Sequence, residues 1–202
     1  MMNKNINVYE VVLDESNLKG GVYAISLVNS PAIDIDFIAL SKEGKTIKLA
    51  DEDRRILMGA ALVPNKPIYR KMGEEEFYIL FSKETIRRAS ELYFIRNNQQ
   101  NATLEHNEKV GGLTTVESWI VEDIEKDKSK MYNFDVPLGT WMVSMKVDNE
   151  DIWTKLVKTG EVKGFSIEGF FMPELRESLS KAEPIDEYET KVNEVKKLLG
   201  MI

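Results

Sequence analysis

Cysteine is absent from the 202 residues, histidine occurs once, and no stretch approaches the run of about 18 apolar residues that crosses a bilayer. The first absence removes disulfides, thiolate metal sites and cysteine nucleophiles together. Covalent catalysis would have to use oxygen or nitrogen, and an intracellular compartment is the expectation. The single histidine, His106, excludes the multi-histidine sets of zinc hydrolases and confines any imidazole chemistry to one position. Basic excess is lacking too: 27 Lys and Arg are interspersed among 34 Asp and Glu, for a net charge of −7. A face suited to a nucleic-acid backbone is therefore not expected, and neither is direct nucleic-acid binding. The N-terminal residues carry no apolar signal region, so a soluble, cytoplasmic protein without membrane contact is anticipated. Gly20-Gly21 and Gly111-Gly112 lack the Gly-Lys-Ser/Thr continuation of a phosphate loop. The acidic runs 51–53 and 74–76 read as solvated loops or helix starts. No metal or cofactor is expected.

What the chain does have is strand patterning. Apolar or alternating runs over 6–13, 20–28, 37–40, 46–49, 55–63, 76–81, 102–106, 113–121 and 140–147 predict strands. The run over 55–63 is apolar at nearly every position, as in a strand covered on both faces. Trp141, Val143, Met145 and Val147 alternate as in a strand covered on one face. The paired glycines of 107–112 suggest a hairpin turn between 102–106 and 113–121. Ser82 is placed to cap a helix over 83–97, and Asp148 to cap a short helix that runs through Trp153 and Leu156 and closes at Gly160. Past Pro173 the pattern turns helical, with Ile185, Tyr188, Val192, Val195, Leu198 and Leu199 forming an apolar stripe. Many strands and few helices, without regular alternation, predict an α+β fold built on a mainly antiparallel, closed β-barrel surrounded by helices. Residues 1–172 would form the barrel domain. Residues 173–202 would form a helical segment packed on it or at an interface.

The segment Gly164-Phe165-Ser166-Ile167-Glu168-Gly169 puts glycines inside a strand, where they cost entropy and pack nothing. A bulge, or close approach by another backbone, is the expectation, and that backbone could be a peptide substrate. Strand alternation sends Phe165 and Ile167 into the core and leaves Ser166 and Glu168 on the other face. A Gly-x-Ser-x-Gly elbow is ruled out because Glu168 stands two residues after the serine. His106 is the sole imidazole that could activate a serine.

Taken with these two residues, four stretches give the chain a family likeness. They are 21–32, 59–70, Leu104 to Asn107 running into 116–123, and Gly139-Thr140-Trp141 through Gly164 to Gly169. The sequence resembles the phage prohead maturation proteases, specifically the XkdF-type phage serine proteases. The resemblance implies the barrel of herpesvirus assemblins and a serine endopeptidase with Ser166 as nucleophile and His106 as general base. It also implies cleavage of the scaffold protein and of the scaffold-like N-terminal part of the major capsid protein, inside the immature prohead in the host cytoplasm, with a homodimer possible. Assemblins use a second histidine, which this chain lacks. Glu168 is the candidate third member, with Glu117, Asp186 and Glu187 as alternatives, and no oxyanion hole is assigned. Two other readings stand beside this one. One is a noncatalytic capsid-assembly or scaffold-binding protein with the same fold; the other is a host regulatory domain unrelated to phage.

Overall fold

The structure is a computed structural model and describes residues 6–14, 20–41 and 53–175. In chain order the strands are β1 (Asn7–Val12), β2 (Gly21–Val28), β3 (Ile38–Ser41), β4 (Asp53–Leu62), β5 (Ile68–Met72) and β6 (Glu75–Leu80). Helix α1 (Lys83–Ile95) follows, then β7 (Ala102–Leu104), β8 (Glu108–Val110), β9 (Leu113–Ile120), the short α2 (Lys128–Met131) and β10 (Trp141–Val147). A brief α3 (Glu150–Ile152) runs into a π-helical turn, Trp153–Val157, before β11 (Gly164–Phe170) and β12 (Met172–Leu175). The strand predicted over 46–49 lies outside the described residues.

These strands form three four-stranded sheets, ordered β12-β1-β6-β5, β3-β4-β10-β9 and β11-β2-β7-β8. The pairing is mainly antiparallel, as expected, with parallel exceptions at β1–β6 and β2–β7. The closed barrel is a prediction the structure overturns. Among the described residues each sheet is open, and a barrel exists only when every edge finds a partner. Edge strand β5 shows why closure does not follow from strand content: Tyr69, Arg70, Lys71 and Met72 are all exposed. Edge strand β8 likewise presents Glu108 and Lys109 to solvent. Charges on a free edge resist further pairing. Alternation tells which face of a strand is buried and carries no information about which edge is paired. Nor are helices arrayed around the sheets; among the described residues α1 is the one α-helix longer than four residues.

The middle sheet holds the best-buried strands. Leu57, Met58, Ala60, Ala61 and Leu62 of β4 are buried, in keeping with an apolar run covered on both faces. β10 goes further than its alternation predicted: Met142 and Ser144 are as fully buried as Trp141, Val143 and Met145. The sheets meet at aromatic contacts. Phe37 and Phe165 have ring centroids 5.3 Å apart, and an atom added at Gly59 would come within 3.2 Å of both residues. Glycine is what allows β4 and β11 to approach.

Helix α1 begins where Ser82 accepts a hydrogen bond from the Thr85 N–H, as predicted. It buries Ile86, Ala89, Leu92 and Tyr93. The Tyr93 ring packs edge-on against Trp141 at 5.6 Å, and its hydroxyl bonds Thr115 at 3.0 Å. Burial pushes that hydroxyl up to about 12, against the smaller opposing effect of the Thr115 bond. The turn after α1 is stitched to β2: Asn98 Nδ2 donates to the Val22 carbonyl and Ile25 N–H to the Asn101 carbonyl. Arg96 donates to the carbonyl of Gly20. In this way the helix fixes β2, the strand at the centre of the candidate site.

Two local expectations fail instructively. The cap of the short helix is Asn149, whose Oδ1 accepts from Ile152 N–H at 3.1 Å, and not Asp148. Beyond Pro173 the chain is still strand through Leu175, paired with β1. Proline is tolerated there because β12 is an edge strand. The apolar stripe over 185–199 lies outside the described residues.

Candidate active site

The site forms on the sheet β11-β2-β7-β8. Ser166 of β11 pairs in register with Ser26 of β2, which pairs with Thr103 of β7. The three hydroxyl residues therefore stand in one row across the sheet, and Ser166 and Thr103 are two strand spacings, about 10 Å, apart.

His106 enters this row from a turn. β7 and β8 are joined at Leu104–Asn107, where Asn107 N–H donates to the Leu104 carbonyl at 2.9 Å. The central residues, Glu105 and His106, have φ of 47° and 59°. That is a type I′ turn made without glycine, at a cost of about 1–2 kcal/mol for each left-handed residue. The hairpin predicted at the paired glycines is thus mislocated. Gly111 and Gly112 instead carry the chain from β8 to β9, which belongs to another sheet. Three bonds hold the strained turn against β2: Glu105 N–H to the Leu27 carbonyl at 3.1 Å, Asn29 N–H to Glu105 Oε1 at 2.7 Å, and His106 N–H to Ser26 Oγ at 3.1 Å. Ser26 is completely buried. Strain kept in place by surrounding bonds is a recurrent property of functional positions.

From this turn the imidazole reaches over β2, and its Nδ1 lies 3.3 Å from Glu168 Oε1. The histidine side chain is 42% exposed and the glutamate 15%, so the carboxylate is the sheltered partner. Thr103 Oγ1 donates to the same oxygen, and the Tyr23 hydroxyl is turned toward this carboxylate. The Tyr23 hydroxyl is held above its ordinary range by partial burial and then by the charge of, and bond to, that carboxylate. Simple alternation would point Tyr23 to the core side with Ile25 and Leu27. A register shift prevents this: Glu168 pairs with Ala24 and Gly169 with Val22, leaving Tyr23 as the extra residue of a bulge. Bulges re-aim side chains, and here Tyr23 is turned to the face of Glu168, its ring 5.3 Å from Phe170.

The bulge answers part of the question raised by the glycines. A side-chain carbon on Gly169 would meet the Gly21 carbonyl oxygen at 2.8 Å and the Phe171 ring at 2.5 Å. One on Gly164 would meet Pro31 at 2.5 Å. The protein's own chain occupies the room that these glycines clear, so that room is not open to a substrate backbone. On the far side of β11, Phe165 is buried and Ile167 packs against the core, as alternation predicted. They line an apolar cleft of about 340 Å³ together with Ala32, Leu62 and Phe171, with Ser166 on its boundary and Arg70 the one charged lining residue.

His106 and Glu168 are thus brought together, and Ser166 stands on the same strand and face as Glu168. Ser166 Oγ makes no hydrogen bond to either ring nitrogen among the described residues. Glu117 is elsewhere: it lies on β9 in the middle sheet and binds Lys128 Nζ at 2.6 Å and Ser144 Oγ at 2.5 Å. Burial pushes its carboxyl up, but bonds from Lys128 and Ser144 with the charges of Lys128 and Arg54 outweigh that and hold it below the usual range. Asp186 and Glu187 lie outside the described residues. Sequence reasoning missed Tyr23, Ser26, Thr103 and Glu105. A serine inside the apolar run over 20–28 was the one available signal, and the register that gives it meaning is not readable from it.

The family described as "Putative phage serine protease XkdF" matches residues 43–173. The chain belongs to this family. His106, Ser166 and Glu168 all fall within the matched residues, while Tyr23 and Ser26 precede them. The stretch 21–32, one of the four that carried the likeness, therefore lies outside the match. No curated protein and no solved structure matches the chain.

Proposed function

We propose that the protein is a serine endopeptidase in which Ser166 is the nucleophile, His106 the general base and Glu168 the residue that orients the base. The observation that carries this reading is the 3.3 Å approach of His106 Nδ1 to Glu168 Oε1 on the sheet that holds Ser166. A ring whose Nδ1–H is engaged by a carboxylate leaves Nε2 as the proton acceptor, the division of labour that nucleophilic serine chemistry requires. Nε2 takes the Ser166 proton as Oγ attacks the scissile carbonyl. The same proton then passes to the leaving amine, and an acyl-enzyme remains for water to hydrolyse. Ser166 and the ring must come together by side-chain rotation for this to occur, a tightening that substrate binding commonly brings.

The resemblance of the sequence to prohead maturation proteases gives the substrate class. The substrates are the phage scaffold protein and the scaffold-like N-terminal part of the major capsid protein, cut inside the immature prohead. The missing Ser166–His106 bond favours the competing reading, a noncatalytic assembly protein that binds scaffold without cutting it. Coexpression with scaffold and capsid proteins separates the two. Processing by the wild type that is lost in both Ser166→Ala and His106→Ala supports the protease. Scaffold binding without processing in all three supports the assembly role. Processing that survives Ser166→Ala removes Ser166 as nucleophile.

A further inference from the structure

Three groups converge on Glu168, and the proposed reaction uses one of them. Tyr23 arrives through the β2 bulge and Thr103 through the parallel β2–β7 pairing, both from the strands on the inner side of β11. Among the described residues no Lys or Arg pairs with this carboxylate. Thr103 therefore supplies the fixed hydroxyl donor for a group that is only 15% exposed, with the Tyr23 hydroxyl beside it. The Thr103 hydroxyl and the imidazole meet the carboxylate at the same oxygen, Oε1, so the bond that holds that oxygen also sets where the ring approaches it.

We infer that Tyr23 and Thr103 are positioning residues: they lock the Glu168 carboxylate so that His106 carries its proton on Nδ1 and presents a bare Nε2. The Tyr23 ring is itself braced by Phe170, so the bulge, the ring contact and the hydroxyl form one rigid support. The consequence for rate rests on the protease reading above; the geometry of the imidazole does not. A carboxylate freed from these donors rotates, and the ring loses the bond that selects its tautomer.

The single histidine makes the test unambiguous, because all imidazole ¹⁵N signals belong to His106. Wild type, Tyr23→Phe, Thr103→Val and the double variant are compared at a pH where the ring is neutral. The variants keep the ring stacking and the β-branched shape, and circular dichroism checks the fold. The expected result is an Nδ1–H ring in the wild type and a mixture of tautomers in the variants, largest in the double variant. The maximal acylation rate with a fluorophosphonate probe should fall about tenfold for each single variant, with the half-saturating probe concentration unchanged. Tyr69→Phe, on edge strand β5, should match the wild type. An unchanged Nδ1–H ring in the double variant overturns the inference even if the enzyme is active. A wild type that is not acylated overturns the protease reading instead, and the tautomer measurement still decides this one.

Discussion

Two glutamates on two sheets each accept a serine or threonine hydroxyl, and they are chemically unlike. Glu117 on β9 binds Ser144 and Lys128. Glu168 on β11 binds Thr103 and faces His106. The lysine neutralises the first carboxylate, completing an ion pair on the surface of the best-buried sheet. The second has hydroxyls and an imidazole around it, so its charge is still available to orient a ring. Their surroundings differ in the same sense. Both glutamates lie beside a register shift, with Val116 the extra residue in one and Tyr23 in the other, but the Glu168 side of the molecule adds two consecutive left-handed residues. A carboxylate next to a serine is therefore no mark of a catalytic site. What distinguishes the two is the third partner and the strain spent to bring it there.

The sharpest break in this comparison is loss of the proposed nucleophile or the proposed base. Ser166→Ala and His106→Ala are each expected to lower acylation by about 10³-fold or more, read by probe labelling, while Ser144→Ala leaves labelling intact. If Ser144→Ala alone abolished labelling, the roles of the two sheets would have to be exchanged. Next comes the carboxylate itself. Glu168→Gln should cost about 10²-fold or more in maximal rate, through loss of ring orientation, and Glu117→Gln should cost nothing.

Stability provides the next contrast. Gly164→Ala forces a methyl against Pro31, and Gly169→Ala forces one against the Gly21 backbone. Overpacking of this kind costs about 1–3 kcal/mol, visible in denaturant titration. Gly160→Ala has open space and a φ of 72°, so its cost is backbone strain alone, about 1 kcal/mol. Equal losses at all three positions would mean that the contacts around β11 are not tight.

The smallest effect concerns pH. The Glu117 carboxyl is held below its ordinary value in the folded protein, so its contribution is present above the unfolded value of about 4.5 and is lost as pH falls through the lower folded value. With the Glu117 and Lys128 side chains 46% and 37% exposed, the pair is worth at most about 1 kcal/mol. Glu117→Gln should be slightly less stable than wild type at neutral pH and indistinguishable from it in acid. A difference that grew on acidification would contradict the assignment.

The faces of strands were legible in the sequence because side-chain period and burial are local. The two-sided burial of β4, the inward Phe165 and Ile167, the Ser82 cap and the bulge at the glycines all follow from residue types within a few positions. Ser166 and His106 could be singled out for a different reason, since one imidazole and one glycine-flanked serine left few choices. The barrel was not legible, because closure depends on pairing between edges far apart in the chain. The turn holding His106 was not legible either. Glycines nearby looked like the better turn formers, and bonds from β2, some 80 residues earlier, pay the cost of placing Glu105 and His106 in left-handed backbone.

By itself, then, the sequence determined which side chains face inward, which chemistries lack their residues, and which serine and histidine stand as candidates. Only the tertiary structure decided that β2 lies between them. That placement brings Ser26 under the histidine turn and, through one extra residue opposite Glu168, swings Tyr23 out of the core. Register across a sheet is fixed by the packing of whole strands against one another, and a one-residue shift reverses a side chain's direction without changing any local preference.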